Sequence, residues 1–209
     1  MKFTKARLEQ FSDGVIAIIV TIMVLNIPLP KTFGFEEIMS LLASVLVFFA
    51  SFFIVGFFWH QHYRLFANIE EITSTVSWRN YLFLFSLSLM PLFTKWVIEN
   101  FGEVVPAVGY VIVFMFVNAS YMFLHSSMMS DEDKKHLKSH GKLVWIHDII
   151  WVLATIGTIA FSFFYPMIAS VLLLGLPLFF SLASLWDEHE GHTEKRRIKI
   201  AALKKKRNI

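Results

Sequence analysis

What most constrains this chain is that its apolar residues gather into stretches close to the roughly 20 residues a helix needs to cross a bilayer. Six such stretches are legible, at about 14–29, 38–59, 78–98, 104–124, 143–164 and 166–186. Composition agrees, with 56% hydrophobic residues and 23 Phe in the chain, whereas soluble domains run about 45–50% apolar. The fifth and sixth stretches meet at Tyr165-Pro166, a tight turn where proline can open the next helix. The pattern predicts an all-α integral membrane protein: a six-helix transmembrane domain over 1–186 and a basic tail over 187–209. No soluble domain is expected, because that tail is the longest polar segment.

Lys and Arg orient these stretches. Lys2, Lys5 and Arg7 precede the first. Arg64 and Arg79 flank the loop after the second, and Lys134, Lys135, Lys138 and Lys142 follow the fourth. Eight more lie in the tail, so of 19 basic residues only Lys31 and Lys95 fall on the other side. The positive-inside rule therefore places both termini in the cytoplasm and fits an even number of spans. Trp59, Trp78, Trp96, Trp145 and Trp186 lie at span ends, where amphipathic rings favour the interface. Trp151 is the exception. The tail reads as a helix extension or a disordered arm near anionic lipid, not as a nucleic-acid site. A cleaved leader is not expected, since Asp13 abuts the first apolar run and no small-residue cleavage site follows.

The chain has no cysteine, which excludes disulfides and thiolate metal sites. His60-Gln61-His62 does not converge on one ion, because alternate helical positions point about 200° apart. His147-Asp148 suits proton transfer or a polar contact between helices, and the contact is the more ordinary use. Val108-Gly109-Tyr110 echoes a carbonyl selectivity filter. However, Ala107 precedes it, Val111 follows it and the segment runs on as the fourth span. Gly109 instead suits close helix packing.

The distinctive string is Arg7-Leu-Glu-Gln-Phe11-Ser12-Asp13-Gly14, leading into an apolar run whose one polar interior residue is Thr21. By itself Ser12-Asp13-Gly14 fits a helix N-cap. Arg7 and Asp13 are six residues apart, about 240° around a helix, so each needs a partner elsewhere. Trp59 and His62 share a face near the end of the second span, and Asn80 opens the third on the same side. Ile18, Ile22, Leu25 and Leu29 form one stripe at helical spacing, which on spacing alone is a packing face.

Arg-x-x-x-Phe-Ser-Asp, Trp59-x-x-His62 and the early Asn80 together resemble the potassium-channel family whose animal member is the endolysosomal transmembrane protein 175. The specific residues cluster from Arg7 to Pro91. The resemblance implies that Arg7, Phe11, Ser12, Asp13, Trp59, His62 and Asn80 form a cytoplasmic polar cluster holding the first helix. It also implies that this helix lines the pore, with Ile18 as the narrowest ring, Thr21 as the nearby hydroxyl and Ile22 and Leu25 along the same stripe. A hydrophobic constriction of this kind can gate by dewetting. The animal protein has two six-helix repeats and this chain shows one Phe-Ser-Asp, which implies a prokaryotic single-repeat member. One first helix cannot enclose a pore, so closed symmetry calls for an oligomer, and the resemblance implies a homotetramer.

The expected function is a potassium-selective leak channel of the cytoplasmic membrane. It would work with lipid, permeant potassium ions in the pore as the only metal, no organic cofactor and no catalysis. The competing reading is a proton-coupled secondary transporter or proton-leak pathway through Asp13, His62 or His147-Asp148. Transporters usually carry internal repeats and broken helices, and no repeat is visible here. A membrane enzyme would need a convergent nucleophile or metal set, which the histidine spacing does not supply.

Overall fold

The structure, a computed structural model, describes residues 4–67, 69, 72–128 and ten separate positions between 153 and 179. The helices are α1 (Lys5–Leu25), α2 (Phe35–Ala67), α3 (Ser74–Ser88), α4 (Met90–Glu99) and α5 (Val104–Ser126). There is no strand among the described residues. Lys5–Leu25, Phe35–Ala67, Ser74–Glu99 and Val104–Ser126 are each long and apolar enough to cross a membrane. The stretches expected at 143–164 and 166–186, His147-Asp148 and the tail at 187–209 lie outside the described residues, the ten positions aside. At two of those positions, the backbone N–H groups of Phe164 and Tyr165 both donate to Phe161 O, at 3.0 and 3.2 Å. That is where the turn before Pro166 is expected.

The helices outrun the apolar stretches that announce them. Thr4, in extended conformation, precedes α1, so Ser12-Asp13-Gly14 sits inside the helix rather than capping it. The polar arm stays helical because it is itself two-faced, with Leu8 and Ser12 buried and Arg7, Gln10, Phe11 and Asp13 exposed. α2 has 33 residues, about 50 Å of helix against a hydrocarbon core of about 30 Å. It therefore carries Trp59, His62 and Arg64 on continuous helix beyond its apolar centre.

The third crossing, expected as one helix over 78–98, is broken at Leu89. Pro91 has no N–H to donate, and its ring crowds the carbonyl four residues back. Leu89 N–H turns to Ser86 O at 3.2 Å. The start of α3 is capped by Thr73, whose Oγ1 accepts from Val76 N–H. After α4 the chain reverses through Gly102 at φ 93°, a left-handed conformation that glycine adopts without penalty.

α1 packs on α2, α3 and α4, while α5 packs on α3 and α4. At the centre, Phe58 meets the rings of Phe83, Phe114 and Tyr121, with centroids 5.9 to 6.2 Å apart. Val108-Gly109-Tyr110 is ordinary helix inside α5, so its carbonyls stay within the helix rather than facing a pore. A Cβ on Gly109 would lie 2.9 Å from Trp96 Cζ3 and 3.0 Å from Phe93 Cε1. Glycine is thus what lets α5 lie so close to α4.

Candidate pore-lining helix and its polar anchor

α1 has two unlike faces. Leu8, Ser12, Ile16, Ile19 and Met23 are buried against the rest of the chain. Opposite them, Phe11 is 52% exposed, Ile18 59%, Ile22 44% and Leu25 81%. These four recur at seven, four and three residues, which keeps them on one side of the helix. Thr21 is exposed beside them, its hydroxyl donating to Ile18 O at 2.9 Å. Leu29, expected on the same stripe, lies past the helix end at Leu25 and is not on it.

The buried face holds a continuous hydrogen-bonded chain across three helices. Ser12 Oγ donates to Leu8 O at 2.8 Å and accepts from Asn80 Nδ2 at 2.9 Å. Asn80 Oδ1 then faces His62 Nε2 at 2.8 Å. With Asn80 Nδ2 turned to Ser12, the amide oxygen faces His62; an amide oxygen only accepts, so this pairing needs the His62 tautomer with its proton on Nε2. All three residues are buried. The His62 ring is stacked between Phe66, 4.3 Å between centroids, and Phe83, at 5.7 Å, which fixes its orientation.

A second tie lies beside the first. Trp59 Nε1 donates to Asp13 Oδ1 at 2.9 Å, joining α2 to α1 at an exposed edge. Phe11 meets Tyr81 of α3 edge-on at 5.9 Å. Six of the seven residues expected in the polar cluster are therefore tied across helices, by two separate hydrogen-bonded sets and one ring contact. Arg7 stands apart: its side chain is exposed and makes no hydrogen bond or ion pair with the described residues. Among the described residues no three His, Cys, Asp or Glu side chains gather as metal ligands would.

One buried polar set went unread in the sequence. Ser51 of α2 donates to Val47 O, accepts from Thr94 of α4 at 3.0 Å and meets the Tyr110 hydroxyl of α5 at 2.9 Å. The signal was available: three hydroxyls in three neighbouring apolar stretches, where such groups find one another. Between α1 and the α3–α4 break lies a cavity of about 470 Å³, lined in part by Ile18, Ile22, Asn26, Pro91, Leu92 and Lys95.

Comparison with known proteins identifies the family and the fold. The family model described as endosomal/lysosomal potassium channel TMEM175 matches residues 7–91. A protein of Chryseobacterium sp. named as a potassium channel is 35% identical over 195 residues, covering 92% of this chain and 97% of that protein. The chain belongs to the TMEM175 family. Members of the TMEM175 family are ion channels, not enzymes. The mouse relative, named endosomal/lysosomal proton channel TMEM175, is 36% identical over 101 residues, 43% of this chain and 20% of its own length. A crystal structure titled as a lysosomal potassium-selective channel TMEM175 homolog from Chamaesiphon minutus superposes with a TM-score of 0.62 at 24% identity, over 86% of this chain and 95% of that one. The TMEM175 fold is thus shared, and this chain is a membrane protein of a channel family.

Proposed function

We propose that four copies of this chain enclose a potassium-selective leak pore lined by the exposed face of α1. Ile18 forms the constriction, Thr21 supplies the nearest hydroxyl, and Ile22 and Leu25 are the apolar layers beyond it. The observation that carries this reading is the division of α1. One face is held by the Ser12–Asn80–His62 chain, while the other presents Ile18, Ile22 and Leu25 uncovered, with a hydroxyl among them. A helix fixed from behind can present its free face at a constant radius, and a closed ring of such helices makes a pore. The bacterial relative's name as a potassium channel supplies the permeant ion. A ring of isoleucines closes by dewetting rather than by coordinating the ion.

In this reading Ser12, Asp13, Trp59, His62 and Asn80 set the position of α1 and stay out of the ion path. The chain then has six spans, which put both termini on one side, the Lys and Arg asymmetry makes that side the cytoplasm of a prokaryote, and lipid covers the outer helices. No bound cofactor takes part, and potassium ions are present only as they pass.

Mass measurement of the detergent-solubilised complex is expected to give four chains. The same complex in a planar bilayer, with potassium on one side and sodium on the other, should give unitary currents reversing near the potassium potential. A stable, conducting monomer would refute the ring of α1 helices. Slow, saturable flux without unitary currents would make the protein a carrier. The proton-leak reading is favoured by the mouse relative's name, and it predicts acidification of potassium-free liposomes along an imposed proton gradient.

A further inference from the structure

We infer that Arg7 lines the inner mouth of the pore, where four guanidinium groups form a cationic ring that opposes cations entering from the cytoplasm. The inference rests on the pore reading above and extends it to a residue that the family resemblance implies belongs to the anchoring cluster. It begins from α1 starting at Lys5. Arg7 is therefore carried on the same continuous helix as Ile18, and its direction follows from helical register.

Eleven residues separate Arg7 from Ile18, three full turns and about 20°. Eighteen separate it from Leu25, five whole turns of about 3.6 residues. Arg7 thus continues the exposed stripe toward the cytoplasmic end, about 16.5 Å along the axis from Ile18 at 1.5 Å per residue. The other charged residues of α1 point elsewhere. Lys5, Glu9 and Asp13 lie roughly 160°, 200° and 240° around the helix from Arg7. Lys5 bonds to Ile69 O at 2.8 Å and approaches Glu9, while Asp13 accepts from Trp59. Of the charged residues of α1, Arg7 is the one on the exposed stripe, and it has no ionic or hydrogen-bonding partner among the described residues.

Like charges around a pore mouth lower the local concentration of cations and raise that of anions, and salt screens the effect. The ring therefore restrains potassium leaving the cytoplasm more than potassium entering it. The restraint should be strong in dilute salt and weak in concentrated salt. An anchoring arginine would have no such signature.

The test uses inside-out patches from cells expressing the full chain, so that the cytoplasmic face is known. With about 10 mM KCl on both sides, where the Debye length is about 30 Å, Arg7→Gln should raise the outward current about two-fold or more. At about 1 M, where that length is about 3 Å, the mutant and wild type should converge. The chain has no cysteine, so Arg7→Cys offers a single thiol and wild type is the silent control. A cationic methanethiosulfonate reagent applied from the cytoplasm should return the Arg7→Cys current to the wild-type level, and an anionic one should raise it further.

Low-salt currents equal to wild type in Arg7→Gln and Arg7→Cys, while Ile18→Asn is altered, would overturn the ring and leave the pore reading standing. If Ile18→Asn is also unchanged, the pore reading falls and the ring with it. Loss of assembled protein in Arg7→Gln, Arg7→Cys and the charge-keeping Arg7→Lys alike would make Arg7 a structural residue and overturn the assignment.

Discussion

On one face of α1, Leu8, Ser12, Ile16, Ile19 and Met23 are closed off by the helices behind them. On the other, Phe11, Ile18, Ile22 and Leu25 stand largely uncovered. The buried face has the sequence of a membrane helix core with one serine in it, and that serine is fully paired. The exposed face is almost as apolar, yet its one hydroxyl, on Thr21, bonds only to its own helix. The difference teaches where each substitution should be felt. A change behind α1 breaks contacts that position the helix and reads out as lost stability. If the front lines the pore as proposed, a change there alters what meets the permeating ion and reads out as current.

Asn80→Ala should have the largest effect on stability. It removes the donor to Ser12, whose hydroxyl keeps its bond to Leu8 O, and the acceptor for His62 Nε2–H, leaving that buried N–H unpaired at about 1–3 kcal/mol. Thermal unfolding in detergent should show a markedly less stable protein and a lower yield of assembled channel, with the surviving channels reversing at the wild-type potential. Wild-type stability with a shifted reversal potential would move the Ser12–Asn80–His62 chain into the conduction path and break the comparison.

Gly109→Ala comes next. Its new methyl would press on Trp96 and Phe93, an overpacking that costs about 1–3 kcal/mol. The site lies between α4 and α5, away from α1, so the melting temperature should fall while the reversal potential holds. A change in selectivity would show that the α4–α5 contact reaches the pore.

Thr21→Ala should have the smallest effect on folding, within about 0.5 kcal/mol as for other exposed substitutions. It should still shift the potassium-to-sodium reversal potential, because it removes the hydroxyl nearest the proposed constriction. A mutant of wild-type selectivity would leave Thr21 facing lipid or a neighbouring helix.

These contrasts were partly legible in the sequence. Hydropathy located the crossings of α1, α2 and α5 because lipid burial demands long apolar runs, and α5 begins at Val104, where its stretch was placed. It could not locate the polar continuations, since the first turns of α1 and the last of α2 are helical for reasons of packing rather than lipid contact. Pro91 was visible, but the same residue at the start of a helix and in the middle of one reads alike until the break at Leu89 is seen. The pairing of Asn80 with both Ser12 and His62 joins residues 68 and 18 positions apart, and only the fold brings them together. The resemblance put Arg7 in the cluster with Ser12 and Asp13. Its exposed side chain has no hydrogen-bonding or ionic partner among the described residues, and its proposed place on the pore-facing stripe follows from helical register only once α1 is known to begin at Lys5.

The central claim is that the uncovered face of α1 lines the pore and that Ile18 closes it. Ile18→Asn, recorded in planar bilayers with potassium on one side and sodium on the other, tests it most directly. A polar side chain should wet the constriction, so the account predicts a larger unitary current and a reversal potential moved toward zero, from a tetramer that assembles as well as wild type. Unchanged unitary current and unchanged reversal potential in a well-folded Ile18→Asn tetramer would contradict it. So would a mutant that chiefly loses folded protein, the mark of a polar group forced into a helix interface.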